Sequence, residues 1–255
     1  MTVERKTAFI TGAGKGIGYG IAKTLAEEGY DLILHSRSSV QGTEKLADLA
    51  RSKGLKAHLV RGDLSNVQEV EQIFRRISDL TRGLNLVVSN SGLTVCKPFF
   101  QITPQDLDQV TGLDWRGSFF VTQYAAKLMV EQKMAGHILL ITSNQAHMVY
   151  PDGSMYGSVK AALSHFTKCA AVELAKHGIR VNAISPGYTD TGDPRMGEKE
   201  STYSAIPMRR WCTPKEIGKA VVFLDSVWSK SITGTELLID GGGCLTCKDN
   251  REHTG

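Results

Sequence analysis

The sequence predicts an α/β fold, a doubly wound parallel sheet of about seven strands with helices on both faces, forming one Rossmann-type domain across residues 1–255. Three observations predict it. Short apolar runs alternate with segments of helical period along most of the chain. The first run, Thr7 to Thr11, passes directly into Gly12-Ala13-Gly14-Lys15-Gly16-Ile17-Gly18 and then into a helix. Finally, Gly12, Arg37, Asp63 and Asn90 all fall where successive strands end, and ligands bind at that edge of such a sheet.

The glycine turn is read as an anion cradle. Its glycines permit positive φ and close approach of backbone to a ligand, and the helix that follows aims free N–H groups at a pyrophosphate. That helix, with apolar Ile21, Ala22, Leu25 and Ala26, stops at Gly29. A second strand, Asp31 to His35, ends in Ser36-Arg37-Ser38. An acid here would bond a ribose 2′-hydroxyl; Arg37 instead, with Lys15 in the glycine turn, suits a 2′-phosphate and so NADP(H). A helix over Val40 to Lys53 and a strand over Ala57 to Arg61 lead to Gly62-Asp63-Leu64. A helix over Asn66 to Leu80 and a strand over Asn85 to Ser89 lead to Asn90-Ser91-Gly92.

A long helical region from Pro104 to Met134 precedes a fifth strand, His137 to Thr142, and the helix after it runs from Ser154 to His177. The sixth strand, Arg180 to Ser185, ends at Pro186-Gly187. Residues 188–208 lack periodicity and hold Gly192, Pro194, Gly197 and Pro207, which suggests a lid over the strand tips. Thr213-Pro214-Lys215-Glu216 is a capping box that opens a helix to Val227. A last strand, Glu236 to Ile239, closes the sheet, so the core spans 6–242, and 248–255 is a polar tail.

A net charge of +4, scattered along the chain, argues against nucleic acid or a membrane surface as partner. No apolar run is long enough to span a bilayer and no hydrophobic signal segment follows the first charges, so the expected location is the cytoplasm. The five cysteines suit free thiols. Cys244 and Cys247 form a lone C-x-x-C with only His253 nearby, too few ligands for zinc, and no metal is expected.

The chemistry is expected between Ser143 and Lys160. Tyr156 and Lys160, four apart, share one helix face. A free phenol titrates near about 10, and a neighbouring ammonium favours its phenolate, so the pair can work as acid and base. Ser143, delivered by the fifth strand, is placed to hold a substrate oxygen while Tyr156 handles the proton.

With T-G-x-x-x-G-x-G at Thr11 to Gly18, Asn90, Ser143, Y-x-x-x-K at Tyr156 to Lys160 and P-G-x-x-x-T at Pro186 to Thr191, the chain resembles the short-chain dehydrogenase/reductases of the compact type. The resemblance implies an enzyme acting on CH–OH donors with NADP(H). In it Tyr156 is the acid/base, Lys160 lowers its pKa and binds the nicotinamide ribose, and Ser143 polarises the carbonyl. It further implies cofactor contacts from Asp63, Leu64, Asn90, Gly92, Pro186, Gly187, Thr189 and Thr191, beside Gly12, Gly14, Lys15, Gly16, Ile17, Gly18, Ser36 and Arg37. A homotetramer or homodimer built through the long helices is implied too. In the family a helix asparagine's carbonyl helps hold a water bonded to the lysine, in a proton relay to solvent; that asparagine aligns with Asp114, which would add negative charge near Lys160 while still accepting a hydrogen bond from that water.

For the substrate, the segments from Arg180 to Tyr188 and from Thr233 to Gly242 resemble NADP-dependent ketose and polyol reductases. Asn144, Gln145, His147, Asp152 and Tyr188 are candidate polar contacts. A 3-oxoacyl-carrier reductase and a hydroxysteroid or general carbonyl reductase are alternatives of the same class. A non-catalytic NADP(H)-binding sensor is the alternative of another class.

Overall fold

A computed structural model describes residues 5–193 and 200–245. Seven parallel strands, β1 (Thr7–Ile10), β2 (Asp31–Ser36), β3 (Ala57–Arg61), β4 (Leu84–Ser89), β5 (His137–Ile141), β6 (Arg180–Pro186) and β7 (Glu236–Ile239), lie in the order β3-β2-β1-β4-β5-β6-β7. The order reverses between β1 and β4, and the crevice that opens there at the strand ends is where this architecture takes its ligands. The central strands β1, β4 and β5 are buried along nearly their whole length and are mostly apolar rather than alternating. Ala8 and Ile10 of β1 pack on one side, with α1 (Gly16–Glu27), α2 (Val40–Ser52) and, near the far end of the chain, α8 (Pro214–Leu224). Phe9 points the other way, toward α3 (Val67–Leu80), α5 (Ser118–Glu131) and α6 (Ser154–Leu174).

The helical region expected from Pro104 to Met134 is three pieces. α4 (Pro104–Val110) starts with a full capping box from Thr103 and Asp106, a π-helical turn occupies Thr111–Gly117, and α5 follows without a break. Such a turn carries one extra residue in the backbone ladder, commonly where a side chain must be re-aimed inward. Here that side chain is Asp114, which is fully buried. The Thr213–Glu216 capping box opens α8 as expected, but the helix ends at Leu224. Of the lid segment, 194–199 lie outside the described residues; the rest includes a short helix α7 (Glu200–Tyr203), with Thr189 bridged to Cys212. The polar tail, Cys247 and His253 also lie outside them.

Opposite the crevice, a polar cluster ties the strand starts together. The Asp225 carboxylate accepts from Tyr30 Oη at 2.7 Å and Lys6 Nζ at 2.8 Å, and lies 3.4 Å from His137 Nδ1. Asn182 accepts from Thr235 N through Oδ1, so its Nδ2 donates to Ile232 O and to His137 Nε2. His137 Nδ1 lies between the Asp225 carboxylate and the Arg180 guanidinium, the latter 3.2 Å away, and burial lowers the ring's pKa. No helix among the described residues is long and apolar enough to cross a membrane.

Candidate active site

The glycine turn is braced from two sides. Gly12 has φ +64, and an added Cβ would lie 2.9 Å from Ser91 Oγ, so both conformation and space exclude a side chain. Its N–H donates to Nδ1 of buried His35 at 3.3 Å, and the other ring nitrogen bonds Gly62 O at 3.0 Å. This fixes the neutral Nε2–H tautomer. Burial lowers the His35 pKa, against the opposing pull of Gly62 and Asp63. Asn90 Nδ2 donates to Thr11 O at 3.0 Å, so that side chain holds the turn from the β4 side. Lys15 caps α1 with no side-chain bond to the first-turn N–H groups, an end open to an anion.

At the tip of β2, Ser36 is buried and Arg37 is 61% exposed, with Nη1 3.1 Å from Asp63 Oδ2. Burial works to raise the Asp63 pKa, but two bonds from Ser65 and the Arg37 cation outweigh it and hold the carboxyl below its usual range. Leu64 is buried in the core cluster around Phe9. Across the crevice Gly187 N donates to Ile239 O, and the buried Thr189 bonds Gly187 O at 3.0 Å. A Cβ on Gly16 would meet Thr191 Cγ2 at 3.5 Å, so the segment after β6 returns over the start of α1.

Ser143 ends β5 in extended backbone and its Oγ accepts from Gln145 N at 3.2 Å, opening the turn Asn144–Ala146. α6 lies directly against that turn: a Cβ on Gly157 would stand 3.0 Å from Gln145 O. The residue after Tyr156 thus lets the helix approach the serine. Tyr156 and Lys160 are both buried, with Nζ 5.4 Å from the phenol ring centroid. Nζ donates to Ile141 O at 3.2 Å and lies 3.1 Å from Asp114 Oδ2, while Asp114 Oδ1 accepts from Leu93 N at 2.7 Å. Burial works against the Lys160 ammonium, but Tyr156 and the Asp114 charge prevail and its pKa is raised. Gly92 makes room for this pair, since a Cβ there would lie 2.7 Å from Asp114 Oδ2.

Tyr188 stacks on Trp211 at 5.5 Å and 14°, and meets Tyr150 edge-on at 6.0 Å. Asn144 Nδ2 donates to Tyr150 Oη at 3.3 Å, which joins this aromatic wall to the residue after Ser143. Gln145 Oε1 is buried without a partner, whereas His147 turns to Glu236, 3.0 Å away. Sequence reasoning missed His35, Tyr150, Trp211 and Glu236. Of these, Glu236 leaves a trace, a lone acid heading the closing strand E-L-L-I. Burial and Asp240 push the Cys244 thiol up to about 12, and no group of three metal-ligating side chains occurs among the described residues.

Residues 12–243 match the family model described as enoyl-(acyl carrier protein) reductase. The hydroxynaphthalene reductase-like protein Arp2 of Metarhizium anisopliae is 34% identical over 254 residues, covering 93% of this chain and 94% of that protein. The chain belongs to the short-chain dehydrogenase/reductases. Among solved structures, the acetoin dehydrogenase YohF of Salmonella typhimurium superposes with a TM-score of 0.85 at 31% identity, covering 95% of this chain and 98% of that one. A short-chain dehydrogenase of Burkholderia cenocepacia in complex with NADP does so with a TM-score of 0.88 at 28% identity, covering 94% and 98%. As a short-chain dehydrogenase/reductase the protein is an oxidoreductase of alcohols and ketones, a family that uses NAD or NADP. The open α1 terminus, the braced glycine turn and the crevice at β1 and β4 fit a dinucleotide.

Proposed function

We propose that the protein reduces a hydroxylated ketone, of ketose or polyol type, to the secondary alcohol with NADPH, and catalyses the reverse with NADP. The observation that carries this reading is the buried Tyr156–Lys160 pair set on α6 against the Ser143 turn. The cofactor supplies the hydride. Ser143 Oγ donates a hydrogen bond to the substrate oxygen, and Tyr156 gives that oxygen its proton as charge develops there. The Lys160 ammonium, held by Ile141 O and Asp114, stabilises the phenolate left behind. Asp114 keeps the ammonium in place and retains an acceptor oxygen toward it.

NADP rather than NAD is supported by Arg37 and Lys15, exposed cations at the tip of β2 and in the glycine turn. Gly12, Gly14, Gly16, Ile17 and Gly18 then line the pyrophosphate. Asp63 and Leu64 flank the adenine, while Asn90, Gly92, Pro186, Gly187, Thr189 and Thr191 flank the nicotinamide half. Asn144, Gln145 and Tyr188 support a polyhydroxylated substrate, with His147 at the margin. A second reading, a flat hydroxylated ring, is favoured by the stacked Tyr188–Trp211 wall and by the name of the Arp2 relative.

The test is oxidation of NADPH, followed by absorbance, with ketoses, acetoin, cyclic aromatic hydroxyketones, acetoacetyl thioesters and hydrophobic ketones. NADH and Tyr156→Phe are the controls. Turnover of ketoses with NADPH, lost by about a thousandfold in Tyr156→Phe while NADPH still binds, is the expected result. Turnover of thioesters alone would move the assignment to acyl-carrier reduction. Tight NADPH binding with no turnover of any ketone would make the protein a cofactor sensor.

A further inference from the structure

Beside the Ser143, Tyr156 and Lys160 group, one buried carboxylate gathers donors from the elements that carry it. Glu236 opens β7 and its side chain is 7% exposed. One of its oxygens accepts from the Thr142 hydroxyl. The other accepts from the Ser164 hydroxyl and stands 3.0 Å from His147 Nε2. Thr142 immediately precedes Ser143. His147 closes the turn after it, with its N–H on Asn144 O at 2.9 Å. Ser164 lies on α6, one helical turn beyond Lys160 and two beyond Tyr156, on the same face.

Neither hydroxyl needs this partner. Thr142 Oγ1 is already 3.1 Å from Ile184 O. A helical serine ordinarily bonds the carbonyl four residues back, as Thr167 on the same helix bonds Leu163 O at 2.9 Å. Desolvating a carboxylate is costly, and the sheet edge could be filled by an apolar side chain at no such cost. What the carboxylate adds is a rigid joint between the end of β5, the turn after it, α6 and β7.

We propose that Glu236 is a positioning residue for the reaction. It locks the Ser143 turn to α6, so that the serine and tyrosine hydroxyls converge on one substrate oxygen. This inference rests on the ketone-reductase reading above. Two groups that share one reacting atom must hold their geometry to about half an ångström, and a misplacement of about 1 Å lowers the rate by about a hundredfold. The residues read as pyrophosphate and adenosine contacts follow β1, β2 and β3, on the other side of the sheet order from this joint, so a loosened joint lowers kcat more than it weakens NADPH binding.

The test compares wild type with Glu236→Gln, Glu236→Leu, Ser164→Ala and Thr142→Val for kcat, ketone KM, NADPH Kd by fluorescence and thermal stability. Glu236→Gln is expected to lower kcat by about tenfold with NADPH Kd changed by less than about twofold. Ser164→Ala is expected to lower kcat less, and to add nothing in a Glu236→Leu background, because the two act through one contact. If the Glu236 variants fail to fold, Ser164→Ala and Thr142→Val carry the same test. An unchanged kcat in folded variants, or an NADPH affinity that falls in step with kcat, overturns the proposal. Wild-type protein that turns over no ketone removes the reading beneath it as well, whereas an active wild type with unaffected variants removes this inference alone.

Discussion

At Asp114 a carboxylate stands 3.1 Å from the Lys160 ammonium, where an amide would hold the same hydrogen bond to Leu93 N without the charge. The negative charge offsets part of the pull that Lys160 exerts on the Tyr156 phenolate. Asp114→Asn should therefore keep reductase activity within about threefold, and the alkaline limb of a kcat/KM profile should move down, since Asp114 is one of the groups that raise the Lys160 pKa. A profile that does not move would leave the carboxylate a purely structural part. Asp114→Leu is different, because it strands a buried ammonium, and a loss of about 3–5 kcal/mol is expected in denaturant unfolding. The proposed acid–base pair was legible because its spacing is set by the helix: Tyr156 and Lys160, four apart, meet as the periodicity requires. The aromatic wall was not, since Tyr150, Tyr188 and Trp211 are far apart in sequence and nothing local couples them.

The elements were legible wherever apolar period and caps agree, as at Thr213–Glu216, and opaque where the backbone departs from a regular ladder. The π-helical turn over Thr111–Gly117 leaves no period that distinguishes it from α-helix, yet it buries Asp114. β2 hides a second such function. His35 reads as one more residue of a buried strand, yet its ring bonds both Gly12 N and Gly62 O and so joins the glycine turn to the tip of β3. His35→Leu should remove both bonds and weaken NADPH binding by up to about thirtyfold, at about 1 kcal/mol for each of the two bonds, with less effect on kcat at saturating cofactor. Isothermal titration beside saturation kinetics separates the two. Gly157 acts through its lack of a side chain: Gly157→Val should push α6 from the Ser143 turn and lower kcat at least about tenfold, with NADPH affinity kept.

Across the whole molecule, acid should unfold the protein in two stages. The pKa values of His35 and His137 are lowered, chiefly by burial, so below about pH 6.5 the unfolded chain takes up protons that the folded one refuses, and stability falls as pH drops. Asp225 follows lower down. Burial raises its pKa, but His137, Lys6 and Tyr30 together hold it below the usual value, so its contribution is present above about pH 4 and is lost on further acidification. Melting temperatures should thus decline from pH 7.5 to 5.5, and Asp225→Asn should flatten the part below about pH 4 while steepening the histidine part, because Asp225 opposes the lowering of the His137 pKa; a melting temperature independent of pH above 5.5 would contradict this. The strand order carries one more consequence, for the growing chain. β1 to β4 complete one half of the sheet by Ser89, but β7 is laid last on the outer edge of β6 and brings Glu236 with it. During synthesis β1 to β4 have all emerged long before β7 can be laid down and the joint beneath Ser143 can close, so the Ser143 turn is among the last parts of the sheet's ligand edge to be fixed.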